Sequence, residues 1–496
     1  MLSEKKKGGF ASGIGFVLAA AGSAVGLGNL WGFPFKTAEN GGAAFVILYI
    51  ACVLFIGFCT MICELFLGKR SQANPVTAFK KANPKLGWFG LIAIIVPFII
   101  SFYYSVLGGY TVKFAVNSFW GNTGNLANFA GSTWQVILCT GVFIAFALFI
   151  VMAGVKGGIE KASKILMPAL FILLLLVVVF VLFLGEGVVD GLKFYLVPDW
   201  SKINGTSILV AMGQAFYSLS LGMGAMIVYG SYTGKEINIV KSTGMICLFD
   251  TLIALLAGLA IFPAVFHFAS VEGIPADSLK LEGLTLMFVT LPKVFESIGA
   301  FGKIIEFFFF AMVVVAAVTS VISLFEVSSQ FIIQKFKIKR KIATLCIAII
   351  TLLVSIPIGL SLGNALNGVD RLLIFGEDLL TFLDAVTNAI FMPACALFSC
   401  IAVGWFIGPK EIKTSLEEEN NKKSWFFKFI GFMIKFIVPV LIGIIEVFGI
   451  IDLWKKGAYG VTVIITSLVL LGLIYLLYFL LLKGKETGTN QDEIDL

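Results

Sequence analysis

The feature that most constrains this chain is a series of about twelve apolar segments, each close to or above the 20 residues that a helix needs to cross a bilayer. They lie near residues 10–37, 41–68, 87–118, 133–154, 160–184, 206–233, 241–269, 300–336, 341–361, 375–407, 425–450 and 457–482. Only 13% of the 496 residues are charged, whereas soluble domains have about 25%. The sequence therefore predicts an all-α, polytopic protein of the lipid bilayer.

The charged residues between the segments predict the orientation of the chain. An even number of spans places both termini on one side, and the loops on that side hold most of the Lys and Arg, including KKK at 5–7 and KFKIKRK at 335–341. Loops rich in these residues stay in the cytoplasm. Both termini are thus expected in the cytoplasm, with the chain in the cell inner (plasma) membrane. The basic residues of these loops account for the net charge of +7, so no nucleic-acid partner is expected.

Two spans contain residues that weaken a helix near mid-depth. The first holds GSAVGLGNLWGFP (22–34) and the sixth holds GQAFYSLSLGMG (213–224). An Asn in hydrocarbon needs a hydrogen-bond or ion partner. Gly22 and Gly26 also form GxxxG, which alone is typical of close helix packing. Two matched interruptions five spans apart instead indicate a transporter built from inverted repeats, with a site at the midplane.

This spacing predicts two five-helix repeats followed by two further helices. The expected divisions are a cytoplasmic N-terminus (1–9), the first repeat (10–184), an extracellular loop (185–205), the second repeat (206–407), helices 11 and 12 (408–482) and a cytoplasmic tail (483–496). The long outer segment 270–299 keeps apolar residues, so we expect it to pack back against the bundle.

Several ordered motifs resemble those of the neurotransmitter:sodium symporter family, in its bacterial amino-acid-transporting branch. They are GSAVGLGNLWGFP and ENGGAAF in spans 1 and 2, SFYY in span 3, GVKGGIEKASKILMP before span 5, GQAFYSLSLGMGAMIVYGSY in span 6, DTLIALLAGLAIFPA in span 7 and AAVTSVISLFE in span 8. A proton-coupled amino acid permease would not be expected to show this set. The resemblance covers nearly the whole chain. It implies a leucine-transporter-like fold with broken helices 1 and 6, and sodium-coupled import of an amino acid by alternating access.

The resemblance implies a substrate site beside the break in span 1. The backbone N–H groups of Leu27 and Gly28 would hold the substrate carboxylate and the Tyr104 hydroxyl would cap it. Gly26 would leave room for the amino acid where monoamine carriers have Asp. The other residues implied are Ile100, Tyr217, Ser218, Ser220, Met223, Ser320 and Leu324. Because none is charged, a neutral hydrophobic or aromatic substrate is expected.

Two sodium ions are implied by the same resemblance, since a hard cation needs several oxygen ligands. The first would be held by Ala24, Asn29, Ser218 and Asp250, and the second by Gly22, Val25, Ala316, Thr319 and Ser320. Taken alone, a Thr-Ser pair in an apolar helix is more typical of hydroxyls that bond back to their own helix.

Asp250 occupies the position where chloride-dependent relatives have Asn. In those relatives the chloride lies near a Tyr, a Gln and two serines, which correspond here to Tyr49, Gln214, Ser218 and Ala254. The Asp250 carboxylate can supply the negative charge permanently, so no chloride requirement is expected. The alternative is an Asp that only bonds to neighbouring helices.

The expected outer gate departs from the family pattern. Tyr104, Tyr217 and Asp384 are its predicted members, but the basic residue that usually pairs with the acid is Gly32. Either Lys36, one turn further on, reaches across, or water fills the gap.

The expected inner gate departs from the pattern as well. Its usual acid is Gln334, so KKK at 5–7 has no such partner, and the N-terminal aromatic is Phe10. Glu64 matches an acid that braces the broken part of span 6.

Other classes of function fit the sequence less well. A channel needs a continuous polar path, and an intramembrane enzyme needs a nucleophile with a base or a metal cluster. The single histidine, His267, lies near the outer membrane edge and is expected to be structural. A sensor that binds without transport would share every binding residue, so the sequence leaves it open. The preferred amino acid, the sodium stoichiometry, proton antiport and the oligomeric state stay open too.

Overall fold

In the computed structural model, which describes residues 9–120, 125–275, 283–420 and 425–480, nearly all of the chain is helical. Ten continuous helices in this part are long and apolar enough to cross a membrane. We label the twelve spans α1 to α12 in chain order. The ten are α2 (Ala43–Ser71), α3 (Pro84–Phe119), α4 (Thr133–Met152), α5 (Val155–Leu182), α7 (Ile239–Glu272), α8 (Ala300–Phe336), α9 (Arg340–Leu366), α10 (Leu379–Ile407), α11 (Trp425–Lys455) and α12 (Ala458–Tyr478).

The first span is broken where the glycines predicted it. Its halves, α1a (Gly13–Ala24) and α1b (Gly28–Glu39), meet at 55°. Val25 has extended backbone with ψ 113°, and α1b begins with a π-helical turn, Gly28–Gly32. A bend at residues 25–27 leaves backbone N–H and C=O groups of the break without partners in the helix ladder.

The sixth span is broken in the same way. α6a (Gly205–Ser218) and α6b (Ala225–Ser231) are separated by residues 219–224. Within this break Gly222 and Gly224 have positive φ values of 75° and 68°, which glycine adopts without steric cost. A side chain at Gly222 would collide with the Met392 carbonyl. The Glu64 carboxylate accepts the Gly222 N–H at 2.8 Å, so the predicted brace is present.

The broken spans lie at the centre of the bundle. α8 packs along α3, α1a packs against α7 and α8, and α6b packs against α2. In the most hydrophobic 18-residue stretch of each helix, 78% of the residues of α3 and 72% of those of α8 are buried, against 17% for α11 and 22% for α12. The last two helices therefore form the edge of the bundle and offer most of their surface to lipid.

The outer segment expected to pack back on the bundle does so over the part that the structure describes. Residues 283–297 are helical, and Leu286, Phe288 and Phe295 are buried. On the same side, His267 Nδ1 lies 2.8 Å from the Glu186 carbonyl, which joins α7 to the loop before α6a. The predicted cytoplasmic segments, KKK at 5–7 and the tail from 483, lie outside the described residues, and the division into repeats stays a prediction.

Candidate functional site

A cavity lies where the two breaks meet α3 and α8. Its wall consists of Ser23, Ala24, Gly26, Leu27, Gly28, Ile100, Tyr104, Tyr217, Ser220, Met223, Ser320, Ser323 and Leu324. Ten of the eleven residues predicted for the substrate pocket are in this wall, and none of the wall residues is charged. The wall therefore presents polar groups at the helix break and apolar side chains beside them.

The glycines of the α1 break keep this cavity open. A Cβ atom at Gly26 would lie 2.9 Å from the Tyr104 hydroxyl, and one at Gly28 would lie 2.6 Å from the ring of Tyr217. The backbone N–H of Leu27 donates to the Tyr104 hydroxyl at 3.3 Å. Two of the three donors predicted to hold a carboxylate thus converge on one point of the wall.

Ser218, the eleventh residue, lies beside the cavity in a buried polar cluster with Asn29, Tyr49 and Asp250. The Asn29 amide nitrogen donates to Asp250 Oδ1 at 2.7 Å and to Ser218 Oγ at 2.8 Å. The Ser218 and Tyr49 hydroxyls donate to Asp250 Oδ2 at 2.7 and 3.2 Å. Three of the four residues predicted for the first sodium ion are in mutual contact, and Ala24 lies on the adjoining wall. The cluster has one formal negative charge, and the described residues that contact it are neutral.

The five residues predicted for the second sodium ion also come together, between α1a and α8. Gly22 faces Thr319, because a Cβ atom at Gly22 would lie 3.3 Å from the Thr319 Cβ. The Thr319 hydroxyl donates to the Ala316 carbonyl at 3.0 Å, as expected for a hydroxyl that bonds within its own helix. The Ser320 hydroxyl instead donates across to the Val25 carbonyl at 3.1 Å. Oxygen atoms from both helices therefore share this space.

Two wall residues, Ser23 and Ser323, were not predicted from the sequence. Ser23 Oγ donates to Ser323 Oγ at 2.7 Å, and the Ser220 hydroxyl donates to the Ser23 carbonyl at 2.8 Å. Ser323 lies one helical turn after Ser320 and hence on the same face of α8. That spacing is the sequence signal that could have identified it.

We call the side of the cavity at α1b and α10 the outer side. There the Lys36 ammonium donates to Gln214 Oε1 at 2.8 Å and lies 5.8 Å from the ring centre of Tyr217. The Asp384 carboxylate instead accepts from the Tyr103 hydroxyl at 3.0 Å and from Asn388 at 2.5 Å. Within the described residues no ion pair joins Lys36 to Asp384. Lys36 thus reaches over the site, but it contacts an amide and not the acid.

The opposite, inner side of the cavity contains a buried ion pair. Glu326 at the inner part of α8 is fully buried, and its two carboxylate oxygens accept from the Arg340 guanidinium at 2.6 and 2.8 Å. The Tyr232 hydroxyl donates to the same carboxylate at 2.5 Å. The sequence did not predict this pair. The motif AAVTSVISLFE ends on Glu326, but Arg340 lies in KFKIKRK, which entered only as a group of charges that orient the chain in the membrane.

Gln334, which stands where the inner gate usually has its acid, does not contact the Glu326–Arg340 pair in this structure. Its Oε1 accepts from the backbone N–H and side-chain amide of Asn74 at 3.0 and 2.8 Å. It therefore fastens α8 to the segment between α2 and α3.

The start of α1a is held on the inner side by α5 and α6b. Glu160 accepts from the Ala11 N–H at 2.6 Å and from the Ser12 hydroxyl at 2.9 Å. The ring of Phe10 lies 5.7 and 6.4 Å from the ring centres of Tyr229 and Tyr232. The predicted N-terminal aromatic thus belongs to an aromatic cluster beside the Glu326 pair.

Comparison with known proteins gives consistent matches over almost the whole chain. A model of the sodium:neurotransmitter symporter family matches residues 7–130 and 123–480. YhdH, an uncharacterized sodium-dependent transporter of Bacillus subtilis (strain 168), is 35% identical over 455 residues, which are 90% of this chain and 98% of the relative. An uncharacterized sodium-dependent transporter of Haemophilus influenzae is 34% identical over 468 residues, which are 89% of this chain and 98% of the relative. The crystal structure of MhsT in complex with L-phenylalanine matches with a TM-score of 0.79 and 34% identity, over 89% of this chain and 99% of MhsT.

Proposed function

Because this chain belongs to the sodium:neurotransmitter symporter family and has the leucine-transporter-like fold of MhsT, we propose that it imports neutral hydrophobic or aromatic amino acids with sodium, by alternating access and without chloride. It is a sodium-dependent, multi-span membrane transporter and not an enzyme. The observation that carries the proposal is an uncharged cavity flanked by two clusters of oxygen atoms.

The cavity wall supports the proposed substrate. Leu27 N–H and the Tyr104 hydroxyl converge where a carboxylate can accept both hydrogen bonds. Ile100, Met223 and Leu324 supply apolar surface on the same wall, and a Met side chain adapts its shape to ligands of different size. The structurally similar MhsT was solved with L-phenylalanine, an amino acid with this chemistry.

Two clusters support two sodium ions. The first ion would be held by Ala24, Asn29, Ser218 and Asp250, whose single carboxylate accepts from the neutral groups of Asn29, Tyr49 and Ser218. Binding there requires Asn29 to turn its oxygen toward the ion, since its amide nitrogen faces Asp250 in this structure.

The second ion would be held by Gly22, Val25, Ala316, Thr319 and Ser320. This space lies between α1a and α8, so an ion there would join the two helices. Both ions would therefore favour a conformation in which the α1 break and α8 stay together.

The hydrogen bonds of Asp250 support independence from chloride. Its carboxylate accepts from Tyr49 and Ser218, the hydroxyls that correspond to chloride contacts in dependent relatives. Gln214 is engaged elsewhere, because it donates to the Gly28 carbonyl at 3.0 Å and accepts from Lys36. Ala254 is buried and has no side-chain donor. An additional anion would therefore find few donors in this set, since the Gln214 amide has a single N–H beyond the one that bonds to Gly28.

We further propose that both termini are cytoplasmic, because the loops on their side hold most of the Lys and Arg. A sensor that binds the amino acid without moving it remains the competing function, since it needs the same cavity.

The test is uptake of radiolabelled phenylalanine into proteoliposomes, with sodium, potassium and proton gradients imposed separately. We expect uptake with a sodium gradient only, since at 100 mV each entering sodium contributes about 2.3 kcal/mol. Uptake should be equal in chloride and gluconate, and Asp250→Asn should lower it because the balancing charge is removed. Full uptake on a proton gradient alone would contradict the sodium assignment, and binding without uptake would favour the sensor.

A further inference from the structure

A groove runs along the lipid-facing surface between α10 and α11. The two helices touch at Gly404, where a Cβ atom would lie 3.0 Å from the Lys435 Cα. Beside this contact the surface opens into a space lined by Ile401, Trp405, Lys435, Phe436, Pro439 and Val440. Both helices are π-helical at this level, over Ala402–Ile407 and Met433–Ile437. Such turns are frequent at functional sites.

One cation marks this groove. The Lys435 ammonium lies 5.1 Å from the ring centre of Trp405 and 5.3 Å from that of Phe436. Across the ranges that the structure describes, no carboxylate lies within 4 Å of it. Some other half-buried cations of the described residues have one, such as Lys69 with Glu419 at 3.0 Å and Arg340 with Glu326 at 2.6 Å. A cation in a membrane span is costly unless an anion or the headgroup region compensates it.

The position of Lys435 along the membrane normal indicates that the compensating anion is in the headgroup region. Gly404 is three residues before the end of α10 at Ile407, so Lys435 lies roughly 5 Å from the end of that span. Trp405 is 58% exposed at this level, as in the aromatic belts that mark the headgroup region. Lys428, two turns earlier on α11, is exposed on the same face and nearer that end of the span. The groove continues from Lys435 toward Pro439 and Val440, deeper in the bilayer.

We propose that this groove binds an anionic phospholipid, with its phosphate on Lys435 and one acyl chain along Ile401, Pro439 and Val440. A basic pocket between helices near the membrane surface suits an anionic headgroup. A zwitterionic lipid brings its own ammonium, so it balances the charge of Lys435 less well. The half-exposed side chains of Phe436 and Val440 provide apolar surface for the acyl chain of the lipid. The site is separate from the amino acid cavity and does not depend on the transport proposal.

The experiment is native mass spectrometry of the purified full-length protein, with phosphatidylglycerol or phosphatidylcholine added. Wild type should retain phosphatidylglycerol in preference to phosphatidylcholine. Lys435→Gln should weaken retention of phosphatidylglycerol about five-fold, from the loss of one cation near the surface. Lys435→Arg should retain it as wild type does. Lys113→Gln is the matched control, because the Lys113 ammonium also lies over a ring, 6.0 Å from the centre of Phe129.

Val440→Trp tests the acyl part of the site with the cation left in place, and it should lower retention by filling the groove. Melting temperatures of all variants report whether they fold. Unchanged retention in Lys435→Gln, or an equal loss in Lys113→Gln, would overturn the proposal. So would a disulfide-linked dimer formed by Val440→Cys in liposomes, which would show that a second copy of this chain covers the groove.

Discussion

On the outer side of the cavity, Lys36 and Asp384 each bond to neutral partners, whereas on the inner side Glu326 and Arg340 bond to each other. The outer contacts are hydrogen bonds to neutral groups, from Lys36 to Gln214 and from Tyr103 and Asn388 to Asp384, each worth about 1.5–3 kcal/mol net because one partner is charged. The inner contact is a bidentate ion pair around a fully buried carboxylate. Removing one member of such a pair costs about 3–5 kcal/mol, because the other charge stays buried. The difference indicates that hydrogen bonds to neutral groups close the outer side of the cavity, whereas an ion pair closes the inner side.

The largest effect is expected where one inner charge is removed. Glu326→Gln leaves the Arg340 guanidinium without its counter-charge, so the inner closure should weaken by about 3–5 kcal/mol. The readout is thiol labelling, from the inner side, of Ala19→Cys in a background without the native cysteines, since Ala19 is buried on α1a. Labelling should become much faster.

The double variant Glu326→Gln/Arg340→Met is the control for this effect. It removes both charges, so labelling should return toward the rate of the otherwise unchanged protein. Equal labelling in the single and the double variant would mean that the ion pair does not hold the inner side closed.

A smaller effect is expected from giving the outer side an ion pair. The nearest atom to a Cβ at Gly32 is Gln214 Oε1 at 3.9 Å, so a side chain has space to start there. Gly32→Arg should pair with Asp384 and stabilise the outer closure by about 1.5–3 kcal/mol. Radiolabelled substrate should then dissociate more slowly to the outside. The gain should vanish in Gly32→Arg/Asp384→Asn; if it persists, the new side chain acts through some other contact.

The smallest effect is expected at Lys36. Lys36→Met keeps the length of the side chain but removes its bond to Gln214 and its charge over Tyr217. The outer closure should weaken by about 1.5 kcal/mol, the lower end of the range for a hydrogen bond from a charged group, measured as faster substrate dissociation. Lys193→Met is the control, because Lys193 is exposed and pairs with the equally exposed Asp190. An effect as large as that of Glu326→Gln would refute the contrast between the two sides.

The broken helices and the cavity wall could be predicted because their signals are local. Glycines and polar residues inside apolar spans show where α1 and α6 break, and the family motifs place residues such as Ile100 and Leu324 on one wall. The partners of individual charges could not be predicted. Nothing in KFKIKRK distinguishes Arg340 from its neighbours, and only the turn between α8 and α9 brings it to Glu326. Whether Lys36 meets Asp384 or Gln214 depends on the π-helical start of α1b, which sequence periodicity does not show.

Gln214 has a consequence for how this transporter could evolve. One amide joins Lys36 on the outer side to the Gly28 carbonyl at the α1 break, and it is free to do so because Asp250 already holds the hydroxyls of Tyr49 and Ser218. On the proposed chloride-free mechanism, an Asn at position 250 would draw Gln214 back to an anion and release Lys36. Ion dependence and the outer contact are thus epistatic: a lineage could not exchange Asp250 alone without also altering how its outer side closes.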